Sequence, residues 1–346
     1  MSRALVISGG GCKGAFAVGI LKRLFAEYPG LNFDMFVGTS TGALMAPLVA
    51  LGEMGMVEKL YTTQKTENVV LENRLGDRIN STSIFDASPL WQQIVENYTD
   101  ERYNKVVANG KKIYITTTCL QTGQMVVFTT DKTPATPAHY QIETIVNANQ
   151  FRKAIMASAC QPVFMQPIKI NLHVPGSPNP NFQYVDGGVR EYAGIQMAID
   201  NGATEIFTIL LSSAEVEVED IEYKNLFSIL QKTIDIFTDD VGKNDLIIPQ
   251  QFNEALQYID AVKKKMMSNG VAEIDINNYF SISGLQTPYE SKKPLKLYQF
   301  QPKAPLGGGP GGLSFDPVEM QQMISKGEGI AGEFIASINT GDVTWA

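Results

Sequence analysis

The stretch DMFVGTSTGALMAPLVAL, residues 34–51, joins a short apolar run to a helical run through a pentapeptide that begins and ends with glycine. Its first four residues predict a buried strand, and residues 43–51 predict a helix. Gly38 and Gly42 stand two positions on either side of Ser40, where glycines permit the tight turn that exposes a serine hydroxyl. A GxSxG pattern between strand and helix is typical of a nucleophile elbow, in which the helix N-terminus lies close to a developing oxyanion.

A second glycine turn, SGGGCKG at 8–14, follows the apolar run 3–8 and precedes another helical repeat. Consecutive glycines expose backbone N–H groups that can converge on one anionic oxygen, and Lys13 adds positive charge. The loop also matches the dinucleotide pattern GxGxxG, but that site needs an acid at the carboxyl end of the next strand, and Asp34 stands at its beginning. A P-loop needs Ser or Thr after the lysine, where this chain has Gly14. The sequence favours an oxyanion loop over a purely structural turn, with the candidate residues Gly9, Gly10, Gly11, Lys13 and Gly14.

A serine hydroxyl needs an adjacent base to act as a nucleophile at neutral pH. The chain has two histidines, His139 in a Pro-rich segment and His173 at the start of another, and neither ends a predicted strand. Asp186 is the favoured base, because residues 182–185 predict a strand that delivers it to an edge and the next two glycines let the backbone turn. A desolvated carboxylate, whose pKa rises, can accept the serine proton. A simple Asp-Gly turn is the alternative, and only the company of the other two motifs counts against it.

Strands and helices largely alternate along the first 212 residues. Strands are predicted at 3–8, 34–37, 112–119, 124–130, 182–185 and 204–211, and helices at 141–157 and 194–201. This alternation predicts an α/β fold of three layers, α/β/α, around a central, mainly parallel sheet that binds ligands at the carboxyl ends of its strands. We predict a single domain over residues 1–346, in which the motif-bearing part covers about 3–212 and residues 213–346 pack on it as a helical and loop extension.

The extension carries three recognisable features. Asp316 as N-cap, Pro317 at the first helical position and Glu319 two residues later predict a closing helix. The Gly-rich segment 305–312 predicts a surface loop, which we interpret as a connector, with a mobile lid as the alternative. Lys263 to Lys265 form a short basic run, which we interpret as a solvated helix face rather than a membrane-binding patch.

Charge and cysteine usage exclude several classes of protein. The 28 Lys and Arg residues and the 36 Asp and Glu residues give a net charge of −8, which disfavours nucleic acid and restricts any membrane-surface contact to a local, transient one. Cys12, Cys119 and Cys160 show no metal-ligand spacing, and their odd number fits a reducing compartment. The first residues lack a signal-peptide pattern, and the chain lacks an apolar run of membrane-spanning length, so we expect a cytoplasmic protein.

These segments, in this order, resemble those of the patatin-like phospholipases, whose marks are a GGGx(R/K)G oxyanion loop, a GxSxG elbow and a later Asp-Gly-Gly or Asp-Gly-Ala. They stand here at 9–14, 38–42 and 186–188, and a further stretch, ASACQPVFMQP at 157–167, is similar to the family's Ala-Ser-x-x-x-Pro segment. The resemblance covers about residues 3–212. It implies a Ser40–Asp186 dyad without histidine and a lipid acyl hydrolase that needs no metal or other cofactor.

The implied reaction is cleavage of fatty acyl esters of phospholipids or related lipids, of phospholipase A or lysophospholipase type, through a serine acyl-enzyme and an interfacial apolar entrance. We expect the N–H groups of Gly10 and Gly11 to hold the oxyanion. Met45, Met54 and Met56 are candidates for lining an acyl-chain site, although core packing is the favoured interpretation. An acyltransferase that uses the same serine and a non-catalytic lipid-binding or signalling module are the alternatives, and a nicotinamide-dependent oxidoreductase is a more remote one.

Overall fold

A computed structural model describes residues 2–72, 82–215, 218, 220, 222–281, 289 and 292–339. Its strands are β1 (Arg3–Ile7), β2 (Met35–Gly38), β3 (Leu71–Glu72), β4 (Phe85–Asp86), β5 (Lys112–Cys119), β6 (Met125–Thr129), β7 (Gln141–Thr144), β8 (Tyr184–Asp186), β9 (Glu205–Ile209) and β10 (Lys296–Phe300). Its α-helices are α1 (Gly14–Glu27), α2 (Thr41–Ala50), α3 (Met54–Leu60), α4 (Ser88–Asn97), α5 (Asp100–Ala108), α6 (Ala148–Ala159), α7 (Ile195–Asp200), α8 (Leu226–Ser268), α9 (Glu273–Phe280) and α10 (Pro317–Asn339). Among these helices, none combines the length and the hydropathy needed to cross a bilayer.

The main sheet has the strand order β10-β9-β1-β2-β5-β6-β7, and its first five strands are parallel. The residues of β1, β2 and β9 are almost all buried, as expected for a parallel sheet covered on both faces. One core cluster joins the sheet to α1, α2, α6 and α10, and a second joins its other face to α7 and α8. The predicted three-layer α/β fold with a mainly parallel sheet is confirmed.

Strand β8 lies in line with β2 rather than beside it, because both pair with the same edge of β5. β2 is parallel to the first half of β5, where Gly38 faces Ile115. β8 is antiparallel to the second half, where Asp186 faces Thr117. The carboxyl ends of β2 and β8 therefore point at each other across a single β5 residue, Thr116, and this arrangement brings Asp186 next to the elbow.

The predicted helix at 141–157 is wrong in its first part. Residues 141–144 form strand β7, which pairs in parallel with β6, and α6 begins only at Ala148. The side chain of Asn147 accepts a hydrogen bond from the backbone N–H of Gln150 at 2.8 Å, as a helix N-cap does. The free edge of β6 thus provides a pairing that hydrophobic periodicity in one segment does not reveal.

The extension beyond residue 212 contributes a strand as well as helices. β10 pairs in parallel with β9 and widens the sheet, with Lys296 opposite Glu205 and Phe300 opposite Ile209. The predicted closing helix is present as α10, and the side chain of Asp316 accepts hydrogen bonds from the N–H groups of Val318 and Glu319 at 2.9 Å. α10 packs closely along α1.

The packing of α10 on α1 leaves no room for a side chain at Gly327. A β-carbon built there would lie 2.1 Å from the backbone oxygen of Phe16 on α1, whereas one at Gly329 would meet nothing within 4 Å. We expect Gly327→Ala to destabilise the protein by about 1–3 kcal/mol through overpacking. We expect Gly329→Ala, on the same helix, to be neutral or to stabilise it by up to about 1 kcal/mol through helix propensity.

Urea unfolding curves of the two variants measure this difference. Equal midpoints for Gly327→Ala and Gly329→Ala would contradict the close contact between α1 and α10.

Candidate active site

Ser40 stands between the end of β2 and the first turn of α2, with its backbone at φ 55° and ψ −117°. A positive φ is uncommon for residues other than glycine and stores strain of about 1–3 kcal/mol. The backbone N–H of Ser40 donates to the hydroxyl of Ser158 at 2.9 Å. A β-carbon at Gly42 would lie 2.0 Å from the backbone oxygen of Ile7, so only glycine lets α2 start this close to β1. The pentapeptide adopts the strained strand-to-helix turn of a nucleophile elbow.

Asp186 lies at the end of β8, is only 6% exposed, and lies close enough to Ser40 for the serine hydroxyl to affect the pKa of its carboxyl. Its Oδ1 also accepts the backbone N–H of Gly188 at 2.8 Å. Burial raises the pKa of Asp186 from 3.8 to about 6, and the hydrogen bond from Gly188 and the nearby Ser40 hydroxyl oppose that rise. A carboxylate with this pKa is a better proton acceptor than an exposed one and is still ionised at neutral pH.

The segment at 157–160 connects the two halves of this pair, a role that the sequence did not suggest. The hydroxyl of Ser158 accepts the N–H of Ser40, and the backbone oxygen of Cys160 accepts the N–H of Asp186 at 2.8 Å. Both contacts come from the end of α6. The only signal in the sequence was the Ala-Ser pair of the stretch 157–167, which carried no assigned role.

The glycine loop lies beside Ser40, since a β-carbon at Gly9 would be 3.8 Å from the hydroxyl oxygen of Ser40. Gly10 and Gly11 have φ values of 152° and 56°, and their N–H groups donate to no protein acceptor in the described part of the chain. The hydroxyl of Thr41 donates to the backbone oxygen of Gly11 at 2.7 Å and ties the loop to α2. Within the described residues, the loop beside the serine thus has two N–H groups that donate to no protein acceptor.

The Gly-rich segment 305–312 packs directly on the glycine loop. A β-carbon at Gly11 would lie 2.1 Å from the backbone oxygen of Gly312. The thiol of Cys12 contacts the backbone oxygen of Gly308 at 3.8 Å, and the side-chain amide of Gln161 donates to the backbone oxygen of Gly311 at 2.9 Å. These contacts hold residues 308–312 against the glycine loop and Gln161.

An apolar pocket begins at Ser40 and Gly11 and runs between α2, α3 and α4. It has about 770 Å³ of unfilled space with its open mouth included. Leu313 and Phe315, which follow the Gly-rich segment, complete its wall. The other aliphatic lining residues are Leu44, Met45, Leu48, Val57, Leu60, Val69, Leu90, Ile94, Ala159 and Met165.

Of the other residues that the sequence brought forward, Met45 lies in the pocket and the rest lie outside the site. His139 and His173 are exposed, and neither is among the partners of Asp186. Met45 lines the pocket, whereas Met54 and Met56 are partly buried at the edge of the core. The basic run does not act as one patch, because Lys264 pairs with Asp260 at 2.8 Å and Lys263 lies over the ring of Phe280.

The buried carboxyl of Asp186 has a cost for stability that depends on pH. A carboxyl whose pKa is raised from 3.8 to about 6 holds its proton more tightly in the folded state, so stability falls as pH rises from about 4 to about 6. At neutral pH the cost is about 3 kcal/mol. We expect Asp186→Asn to raise the melting temperature at pH 7.5 and to raise it little at pH 4.

Thermal melts at the two pH values test this expectation, with the exposed Asp240→Asn as control. A gain of the same size at pH 4 and pH 7.5 would show that the carboxyl of Asp186 is not the cause.

A family model for patatin-like phospholipases matches residues 5–199. A stretch of 66 residues is 44% identical to a cUMP-AMP-activated phospholipase of Escherichia coli, over 17% of this chain and 20% of that protein, so the chain aligns with about a fifth of that relative's length. The crystal structure of VipD from Legionella pneumophila aligns over 97% of this chain and 67% of VipD, with 12% identity and a TM-score of 0.46. Because the family model covers more than half of the 346 residues, the chain belongs to the patatin-like phospholipase family.

Proposed function

We propose that this protein is a lipid acyl hydrolase of phospholipase A or lysophospholipase type, with Ser40 as nucleophile and Asp186 as base. The observation that carries the proposal is the placement of the Ser40 hydroxyl beside the buried Asp186 carboxylate, at the mouth of an apolar pocket. The family supports lipid acyl hydrolysis in general. The geometry of the two side chains supports a dyad without histidine.

The reaction begins when the Ser40 oxygen attacks the acyl carbonyl and Asp186 takes the hydroxyl proton. The N–H groups of Gly10 and Gly11 then hold the negative oxygen of the tetrahedral intermediate. As that intermediate collapses, the bond to the alcohol breaks and the proton on Asp186 passes to the leaving oxygen. Water repeats the sequence on the acyl-enzyme, so that a free fatty acid leaves and Ser40 regains its proton.

The substrate is proposed to place its acyl chain in the apolar pocket behind Ser40 and its head group outside. Met45 and Phe315 line that pocket, and they would contact the hydrocarbon chain rather than the ester. Such a substrate resides in a membrane, so a transient contact with a membrane surface is part of the proposal. The three unpaired and buried cysteines support a cytoplasmic location.

Active-site labelling tests the dyad. We expect a fluorophosphonate to label the wild type but not Ser40→Ala, and phospholipid hydrolysis to fall by about 10³-fold or more in Ser40→Ala and Asp186→Asn. Because the base must be ionised, kcat/KM of the wild type should rise with pH through a value of about 6, the pKa of Asp186.

Assays with and without cUMP-AMP are included, since the Escherichia coli relative is named for activation by that nucleotide. Free fatty acid is measured with and without an alcohol acceptor, and acyl transfer to the acceptor would identify an acyltransferase. A folded wild type that neither labels nor releases fatty acid in any of these conditions would exclude the proposed function.

A substitution at a position that only glycine can occupy tests the proposed oxyanion loop. Gly11→Ala introduces a β-carbon at a φ of 56° and 2.1 Å from the backbone oxygen of Gly312, so the N–H of residue 11 must move. We expect kcat to fall by about 10²–10³-fold, the usual effect of losing one oxyanion donor. Gly52→Ala is the matched control, because Gly52 has a φ of 73° but nothing within 4 Å.

Phospholipid hydrolysis by the two folded variants measures this effect. A Gly11→Ala protein as active as Gly52→Ala would exclude Gly11 from the oxyanion hole.

A further inference from the structure

A carboxylate on the long helix α8 binds the backbone of the loop that follows Asp186. The Oδ2 atom of Asp245 accepts the N–H of Tyr192 at 2.6 Å and the N–H of Ala193 at 3.2 Å. Two backbone donors that share one carboxylate oxygen fix both the position and the direction of that loop. Asp245 lies beyond the residues 5–199 that the family model matches.

A second carboxyl group, that of the buried Glu191, lies near the half-buried Asp245. Glu191 is only 8% exposed, its Oε1 atom has no hydrogen-bond partner among the described residues, and its side chain lies close enough to that of Asp245 for each carboxyl group to affect the pKa of the other. Two carboxylates this close cannot both be charged in a buried site. One proton must therefore lie between Glu191 and Asp245.

The backbone donors decide which of the two carboxyl groups is ionised. Asp245 accepts two N–H groups, which favour its charged form, whereas burial and the neighbouring Asp245 raise the pKa of Glu191 well above its ordinary value. Burial raises the pKa of Asp245 to about 6. At neutral pH, Glu191 thus keeps its proton and donates it to the Asp245 carboxylate. The other ionisable groups that act on Glu191 are Asp200 and Tyr140.

Glu191 contacts the residue that precedes Ser40, the proposed nucleophile. Its backbone oxygen accepts the hydroxyl of Thr39, the residue before Ser40, at 3.4 Å. The hydroxyl of Thr116 donates to that of Thr39 at 2.7 Å and completes the connection to β5. A short loop of four residues separates Asp186 from Glu191. Movement of Glu191 would therefore change both the contact at Thr39 and the loop that places Asp186.

Further contacts join the same loop to the glycine loop and to α8. A β-carbon at Gly9 would lie 3.6 Å from the ring of Tyr192, and one at Gly242 of α8 would lie 2.8 Å from that ring. The hydroxyl of Tyr192 lies near Ser8 and Ser212, both of which lower its pKa. The ring of Tyr192 thus fills the space between the glycine loop and α8, on the side where Asp245 holds the backbone.

We propose that Asp245 is a positioning residue for the reaction: by accepting the N–H groups of residues 192 and 193 and sharing a proton with Glu191, it holds the loop that places Asp186 against Ser40. The inference rests on the proposed function of the dyad. Asp245 acts through the loop and does not touch the substrate.

Steady-state kinetics of the full chain test the inference. We expect Asp245→Ala to lower kcat by about 10- to 100-fold with KM little changed, because the dyad loses its alignment rather than its pocket. The Gly188 N–H that lowers the pKa of Asp186 should also lose its alignment. The acidic limb of the pH profile of kcat/KM should therefore move to higher pH. A general loss of folded protein would lower the activity without moving this limb.

Two conservative variants and one control refine the test. Asp245→Asn keeps an oxygen that accepts the backbone donors, and Glu191→Gln keeps a group that donates to Asp245, so both should retain kcat within about threefold of the wild type. Glu191→Gln should also be more stable than the wild type at alkaline pH, where Glu191 must ionise in the buried pair. Asn244→Ala, at the exposed neighbour of Asp245 on α8, should match the wild type.

An active wild type whose Asp245→Ala variant keeps its kcat, or loses it without the shift of the acidic limb, would overturn the inference and leave the dyad intact. Loss of kcat in Glu191→Gln equal to that in Asp245→Ala would also overturn it. An inactive wild type would instead remove the proposed function. Should Asp245→Ala fail to fold, a Glu191→Gln protein with unchanged alkaline stability would contradict the shared proton.

Discussion

The backbone of Ser40 is held at a positive φ, and the geometry of the whole site depends on that constraint. Three features keep it there: the hydroxyl of Ser158 that accepts its N–H, the close approach of Gly42 to Ile7, and the start of α2 at the next residue. A relaxed turn would direct the serine side chain away from the carboxyl ends of the strands. The strain is small beside the total of the packing that surrounds it, and it places the hydroxyl beside the carboxyl of Asp186 and the glycine loop.

The shared edge of β5 solves a second problem, which is how to bring a carboxylate to a serine inside a parallel sheet. Parallel neighbours deliver their ends side by side, about one strand spacing apart. An antiparallel β8 in line with β2 instead delivers Asp186 head-on, with Thr116 between the two strand ends. The same placement removes Asp186 from water and gives its carboxyl the proton affinity of a base. The antiparallel pairing of β8 with β5 thus determines both the position of Asp186 and the raised pKa of its carboxyl.

The sequence predicted what is encoded in short windows and missed what depends on distant partners. The elbow and the glycine loop are strand-turn-helix units whose glycines and apolar runs lie within about fifteen residues, so their place in the fold could be inferred. The antiparallel direction of β8, the strand at 141–144 and the contact of Ser158 with Ser40 depend on pairing across many residues. Asp186 combines both cases. The strand before it could be predicted from the sequence, but the sequence at Asp186 fits a simple Asp-Gly turn equally well.

The contact between the glycine loop and the Gly-rich segment has a consequence for the order in which the protein is made. Cys12 and Gly308 touch although 296 residues separate them in the chain. At the usual rate of synthesis the ribosome needs about 15–60 s to cover that distance. During this time the turn at Ser40 and the strand that ends at Asp186 can form, while the glycine loop beside them stays uncovered. A nascent chain therefore completes the surroundings of its glycine loop only after residues 305–312 have left the ribosome, shortly after β10 completes the sheet.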